Sequence, residues 1–211
     1  MTSRERNRLR EAVSAVLAQL ESTGGPGGHC KAAARRHIVH DFAGEDAEFV
    51  YGLATELADR ETGRWFAFCL ARYHRPAFAL LDDDRIEALG RDIADRREAD
   101  AFARILAGPA WLAGKLSRER VHAWAARSGW WPRIALLSTV ALNSRSDGGT
   151  GDVGRTLDVC RLLVDRPEPA IRDALDRALR SLAKHAPLAA EDFARRHALP
   201  GSGSPGAPVA G

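Results

Sequence analysis

Apolar residues recur every three to four positions along most of the chain, which is the spacing of one face of an α-helix. Within residues 2–21 the other face is filled by Arg and Glu, and the apolar stripe consists of Leu9, Val13, Val16, Leu17 and Leu20. No segment alternates between apolar and polar residues for long enough to predict a strand. The pattern therefore predicts an all-α protein.

The same spacing predicts further helices over residues 31–41, 46–59, 82–97, 152–165, 169–185 and 189–197. Additional helix starts are indicated at Pro76, Ser117 and Pro132, because proline and serine favour the first positions of helices. A further helix is indicated from Arg64, where an apolar run begins. A short apolar stripe around Phe102 is predicted to end at Gly108-Pro109. The chain is thus expected to contain about ten or more helices.

Two helices begin alike, at Pro132-Arg133-Ile134 and at Ala170-Ile171-Arg172, and Arg64-Trp65-Phe66 has the form of a more diverged copy. A repeat of about 40 residues made of helix pairs is typical of HEAT-like proteins. Stacked pairs produce a curved, elongated molecule. We therefore predict a HEAT-like helical-repeat solenoid in one domain, residues 1–199, followed by a disordered tail rich in Pro, Gly and Ser, residues 200–211.

Three of the five tryptophans stand close together before the apolar helix that Pro132 opens: Trp124, Trp130 and Trp131. Large rigid side chains at this density predict aromatic packing in a corner between helices, and the alternative is a shelf that faces a ligand.

Composition narrows the class of protein. Of 211 residues, 45% are hydrophobic and 28% are charged, as in soluble globular proteins. Three scattered cysteines form neither a disulfide framework nor a zinc spacing, and His29, His37 and His40 near Cys30 lack the spacing of metal ligands. With no secretory or membrane-spanning pattern, the sequence predicts a cytoplasmic protein without a metal and without contact to a membrane.

The net charge is only +3, but its distribution is uneven. Acidic residues concentrate within residues 45–61 and 82–84. Between residues 115 and 145 a single acid, Glu119, faces six cations: Lys115, Arg118, Arg120, Arg127, Arg133 and Arg145. This segment is the most basic part of the chain, which favours an anionic partner.

Several motifs together resemble the DNA alkylation repair family, the AlkD-like HEAT-repeat proteins. The motifs are Ala101-Phe-Ala-Arg-Ile-Leu-Ala-Gly-Pro-Ala-Trp111, Trp124-Ala-Ala-Arg-Ser-Gly-Trp-Trp-Pro-Arg133, Leu137-Ser-Thr-Val-Ala-Leu-Asn143, Gly148-Gly-Thr-Gly-Asp152 and Ala174-Leu-Asp-Arg-Ala-Leu-Arg180. The resemblance covers about residues 49–193.

The resemblance implies a monomer that binds duplex DNA through its backbone and removes cationic N3- or N7-alkylated purines without a cofactor. It places the catalytic aspartate at Asp100, where a carboxylate would stabilise the positively charged sugar. Arg133 matches an arginine of the family and becomes the first candidate for a phosphate contact. The other candidates for DNA contacts are Arg96, Arg177, Lys115, Arg118, Arg127, Arg145 and Trp131.

Two tryptophans of active family members align here with Arg96 or Arg97 and with Arg177, which leaves enzymatic activity open. Structural roles compete with the functional ones: Asp100 as a helix N-cap, and Arg133 in a buried salt bridge to Asp165 or Asp158. The alternative function is a non-catalytic helical-repeat scaffold that binds DNA or a protein.

Overall fold

The computed structural model describes residues 3–22 and 30–199, and none of these residues lies in a strand. In chain order the helices are α1 (Ser3–Ser22), α2 (Cys30–Asp41), α3 (Ala47–Ala58), α4 (Glu61–Tyr73), α5 (Arg75–Ala79), α6 (Asp83–Leu89), α7 (Arg96–Phe102), α8 (Gly108–Leu112), α9 (Arg118–Ala125), α10 (Trp131–Leu142), α11 (Val153–Leu163), α12 (Pro169–Ala183) and α13 (Pro187–Arg196). The predicted all-α fold is confirmed. The tail predicted at residues 200–211 lies outside the described residues.

Most helix starts follow local chemistry that the sequence shows. A side-chain oxygen accepts a hydrogen bond from a free backbone N–H of the first turn at Asp46, Asp82, Asp95, Ser117 and Asp152. Proline occupies the first turn of α5, α10, α12 and α13, where its missing N–H costs nothing. The starts predicted at Ser117 and Pro132 are confirmed.

The single helix predicted over residues 82–97 is wrong, because the chain breaks after Gly90 and α7 starts behind the N-cap Asp95. A Cβ at Gly90 would lie 2.8 Å from the ring of Phe102, which is fully buried. Glycine at this position therefore lets the end of α6 lie against that ring.

The predicted helix end at Gly108-Pro109 is also wrong. The chain stays helical through a π-helical turn, Ala103–Ala107, into α8, and the N–H of Gly108 donates to the carbonyl of Ala103. Pro109 has no N–H to donate, and its ring would crowd the carbonyl four residues earlier in a regular α-helix. The wider π turn accommodates the proline without ending the helix.

Contacts between helices recur at a nearly constant separation along the chain. Glu48 pairs with Arg85 37 residues on, Glu87 with Arg120 33 residues on, and Arg118 with Asp158 40 residues on. Each helix pair therefore stacks on the next, as the 40-residue repeat predicts. The buried apolar residues from Leu9 to Phe193 form one continuous cluster, which fits the fold of a helical-repeat solenoid.

Candidate functional site

The central helix α10 packs between α7 and α12 and holds together a cluster of charged side chains from all three helices. Arg133 lies in the first turn of α10, Asp100 lies on α7, and Asp173 and Arg177 lie one turn apart on α12. Arg96, in the first turn of α7, joins through Asp173, with 2.8 Å between Nη2 and Oδ2. We call these five residues the Asp100 cluster.

Arg133 is the centre of the cluster, and none of its surface is exposed. Its Nε donates to Oδ1 of Asp100 at 2.6 Å and its Nη2 donates to Oδ2 at 3.0 Å, a two-point contact that fixes both planar groups. Nη2 also donates to Oδ2 of Asp173 at 2.9 Å, and Nη1 donates to the carbonyl of Ala170. The buried charge is therefore paired and hydrogen-bonded on every side.

The electrostatics of the cluster favour the charged forms. Burial opposes the charge of Arg133, but hydrogen bonds to Asp100 and Asp173 outweigh burial and raise its pKa above the usual value. For Asp173 burial again acts against ionisation, yet the hydrogen bond from Arg133 and the nearby Arg177 and Arg96 lower its pKa. The arginines thus hold an ionised carboxylate in place at neutral pH.

Asp100 remains partly open, since 20% of its side chain is exposed. Its Oδ2 also accepts a hydrogen bond from Nη1 of Arg177 at 3.3 Å. The N-cap interpretation of Asp100 is wrong, because Asp95 caps α7 and Asp100 lies inside the helix. Its carboxylate therefore reaches across to the neighbouring repeats.

A buried salt bridge of Arg133 was one of the two interpretations of this residue, and the structure contains it. The predicted partners are wrong, because the carboxylates are those of Asp100 and Asp173. Asp158 instead pairs with Arg118 and Arg161. A direct phosphate contact by Arg133 would require one of its present partners to be displaced.

Arg96 and Arg177 form the solvent-facing rim of the cluster: Arg96 is exposed and Arg177 is half-buried, with 47% and 37% of their side chains accessible. The resemblance aligns two aromatic residues of active family members with Arg96 or Arg97 and with Arg177. The formal charges of the cluster, three guanidiniums and two carboxylates, sum to plus one. Arginine at these positions can hold phosphate oxygens but offers no aromatic face.

Asp173 is the member of the cluster that sequence reasoning missed. Asp173 pairs with Arg177 one turn later on α12, with 3.3 Å between Nε and Oδ2. Its further contacts to Arg96 and Arg133 come from residues 77 and 40 positions away. The one available signal was its location on the same helix face as Arg177.

The tryptophan corner is packed in the way the first interpretation predicts. Trp124 is fully buried, its ring centroid lies 4.9 Å from that of Trp131, and the indole N–H of Trp130 donates to the carbonyl of Ala94 at 2.9 Å. Trp131 is half-buried, with the guanidinium of Arg127 5.2 Å above its ring. The corner therefore fixes the start of α10, two residues before Arg133.

Beside this corner, Glu87 accepts hydrogen bonds from the indole N–H of Trp124 at 3.0 Å and from Arg120 at 2.6 Å, and it pairs with Arg127 at 2.8 Å. Burial would raise the pKa of Glu87, but these three donors outweigh burial and lower the pKa to about 2. Glu87 therefore ties α6 to α9 and the tryptophan corner.

Of the four other cations proposed from the sequence, two pair with carboxylates of neighbouring repeats. Arg118 pairs with Asp158, Arg127 with Glu87, and Lys115 donates to the carbonyl of Ala79 at 2.7 Å. Among the described residues, no carboxylate pairs with the exposed Arg145. None of these four cations contacts the Asp100 cluster in the described structure, and their contacts with DNA stay predictions.

Metal ligands are not gathered in the part of the chain that the structure describes, where no three His, Cys, Asp or Glu side chains are placed to hold a metal ion. His37 and His40 both contact Asp41, and His29 lies outside the described residues. No helix among the described residues is both long and apolar enough to span a membrane.

A family model described as DNA alkylation repair enzyme matches residues 29–205. The chain belongs to the DNA alkylation repair family. The match extends beyond residues 49–193, over which the motifs indicate the resemblance, and it includes every member of the Asp100 cluster. No curated protein and no solved structure matches the chain. Family membership supports a role in DNA repair.

Proposed function

We propose that this protein binds duplex DNA and releases cationic N3- or N7-alkylated purines by hydrolysis of the N-glycosidic bond, with Asp100 as the catalytic carboxylate. One observation carries the proposal: a partly exposed Asp100 is fixed by two hydrogen bonds from the fully buried Arg133. A rigid, correctly oriented charge is what electrostatic catalysis requires, because no reorganisation is needed as charge develops.

The reaction suits a carboxylate and needs no cofactor. An alkylated purine with a positive charge leaves as a neutral base when the bond from C1′ to the base nitrogen breaks, and the positive charge moves to the sugar. Asp100 would stabilise that charge and orient the water that adds to C1′, after which one proton passes to solvent. The products are an abasic site and the free base.

Arg133 acts in this proposal by holding Asp100, and the rim supplies the phosphate contacts. Arg96 and Arg177 both reach solvent beside Asp100, and planar guanidiniums bind phosphate oxygens at two points. Contacts farther from the cluster are proposed for Lys115, Arg118, Arg127, Arg145 and Trp131.

The first experiment measures base release under single-turnover conditions from duplex DNA that carries 7-methylguanine. We expect Asp100→Asn to lower the rate by about 100-fold or more, with little change in DNA affinity. Asp176→Asn is the matched control, because Asp176 lies on α12 in an exposed pair with Arg180. It should leave the rate unchanged.

The second experiment follows DNA affinity as a function of salt. Binding through phosphates should weaken steeply as salt rises, and neutralising Arg96 or Arg145 should each reduce the slope of log K against log salt by about one. Salt-sensitive binding without base release would reject the enzymatic function and support the alternative, a non-catalytic scaffold that binds DNA. Binding that is absent or insensitive to salt would reject the DNA-binding proposal itself.

A further inference from the structure

We infer that Arg177 covers the Asp100 carboxylate in the free protein and that a DNA phosphate displaces this cover. In the free protein Arg177 donates to Oδ2 of Asp100, which also accepts a hydrogen bond from Arg133. In the complex the guanidinium of Arg177 turns to the phosphate, and the side of the carboxylate that it covered opens to the positively charged sugar. This inference rests on the proposed function and adds a regulatory role for one residue.

The two arginines that contact Asp100 differ in the strength of their contacts. Arg133 is fully buried and approaches Asp100 at 2.6 and 3.0 Å. Arg177 is 37% exposed, and its contacts to Asp100 and Asp173 are both 3.3 Å long. Long contacts of a half-buried side chain are weaker than short, fully buried ones, so Arg177 leaves Asp100 at a smaller cost than Arg133 would.

Removal of Arg177 would leave the arrangement of Asp100 intact, because the fixed contacts of its carboxylate come from Arg133. Arg133 in turn keeps Asp173 and the carbonyl of Ala170 as partners. Arg133 therefore orients Asp100, and Arg177 covers it.

The charge balance gives the cover a function. A cationic nucleoside that approaches Asp100 meets the positive charge of Arg177, so the covered site disfavours small cations that carry no phosphate. A phosphodiester offers Arg177 a partner of matching geometry and opposite charge. DNA therefore supplies both the lesion and the group that uncovers Asp100, and the site selects alkylated DNA over free alkylated nucleosides.

The test compares two substrates, 7-methyldeoxyguanosine as the free nucleoside and duplex DNA with the same lesion. In Arg177→Gln, kcat/KM for the nucleoside should rise about two- to five-fold, the range expected from loss of one weak, partly exposed ion pair. On duplex DNA the same variant should show no such gain, and the salt slope of its binding should fall by about one. Thermal unfolding checks that the variant is folded.

Arg180→Gln is the matched control, since Arg180 also lies on α12 but pairs with the exposed Asp176 at 2.6 Å. This control should leave the activity on both substrates unchanged. A structural defect in Arg177→Gln would lower both activities, which is the opposite of the expected shift.

The outcomes separate the two claims. If the unaltered protein releases 7-methylguanine from duplex DNA but Arg177→Gln gains nothing on the nucleoside, or gains equally on both substrates, the cover is rejected and the proposed function stands. If neither protein acts on either substrate, the proposed function fails and the cover fails with it.

Discussion

Replacing Arg133 by methionine tests whether the Asp100 cluster is held by one residue. Methionine keeps much of the volume of the arginine stem but removes the guanidinium, leaving Asp100 and Asp173 without their shared donor. Breaking a fully buried ion pair from one side costs about 3–5 kcal/mol. Asp100 and Asp173 are 20% and 32% exposed and keep contacts to Arg177 and Arg96, so water and these arginines offset part of the loss. We expect a destabilisation of about 2–4 kcal/mol.

The assay is urea unfolding followed by circular dichroism, with Arg180→Met as the control. Arg180 lies on the same helix as Asp173, and its pair with Asp176 leaves 58% of the Arg180 side chain exposed. The control should lose less than about 0.5 kcal/mol, as exposed pairs do. A loss below about 1 kcal/mol for Arg133→Met would refute the reasoning, because the buried guanidinium would then contribute no more than a surface one.

The pH dependence gives a second check. The pKa of Asp173 is lowered in the folded protein, so its contribution to stability is complete above the unfolded pKa and is lost as the pH falls through the folded pKa. Arg133 is one cause of that lowered pKa. The difference in unfolding free energy between the unaltered protein and Arg133→Met should therefore shrink as the pH falls below about 4.

Three further predictions concern the framework around the cluster. Glu87→Gln should lower the unfolding free energy by up to about 3 kcal/mol near neutral pH. The pKa of this carboxyl is 4.5 in the unfolded chain and about 2 in the folded one. In unfolding measured against pH, the difference between the two proteins should therefore vanish as the pH falls from 4.5 toward about 2. Gly108→Ala should destabilise the protein by about 1–3 kcal/mol in urea unfolding, because the added Cβ would lie 2.8 Å from the carbonyl oxygen of Ser138. A gain in stability would show that α8 and α10 can separate. Asn143→Ala should lower the unfolding free energy by about 1–3 kcal/mol, since the buried Asn143 amide donates to the hydroxyl of Thr156 at 2.9 Å. An unchanged melting temperature would contradict this prediction.

Local patterns in the sequence account for most of the helices. Helix starts at Ser117 and Pro132 follow from capping and from the fixed backbone angle of proline, both of which act within one turn. The predictions failed at Gly90 and at Gly108-Pro109, where the decisive contacts come from elsewhere. Phe102 packs against the first glycine, and α10 approaches the second.

The charged residues show the same division more sharply. In the sequence Arg118, Arg127 and Arg133 stand in a basic segment that only Glu119 opposes. In the folded chain their carboxylates come from positions 40 residues later or 33 to 40 residues earlier. Sequence spacing could suggest the pair of Asp173 and Arg177 because both lie on one helix, but not the contact of Arg177 with Asp100 or of Asp173 with Arg133.

The sequence by itself determined that this protein is a helical repeat of the DNA alkylation repair family, with Asp100 and Arg133 as the residues to examine. Helical periodicity, capping residues and family motifs are local properties that a chain carries before it folds. Only the tertiary structure decided that Arg133 is buried against Asp100 and Asp173, and that Arg177 lies over the same carboxylate. That arrangement depends on how three helices stack across repeats, since ion pairs between repeats form only when stacking brings distant charges within a few ångströms.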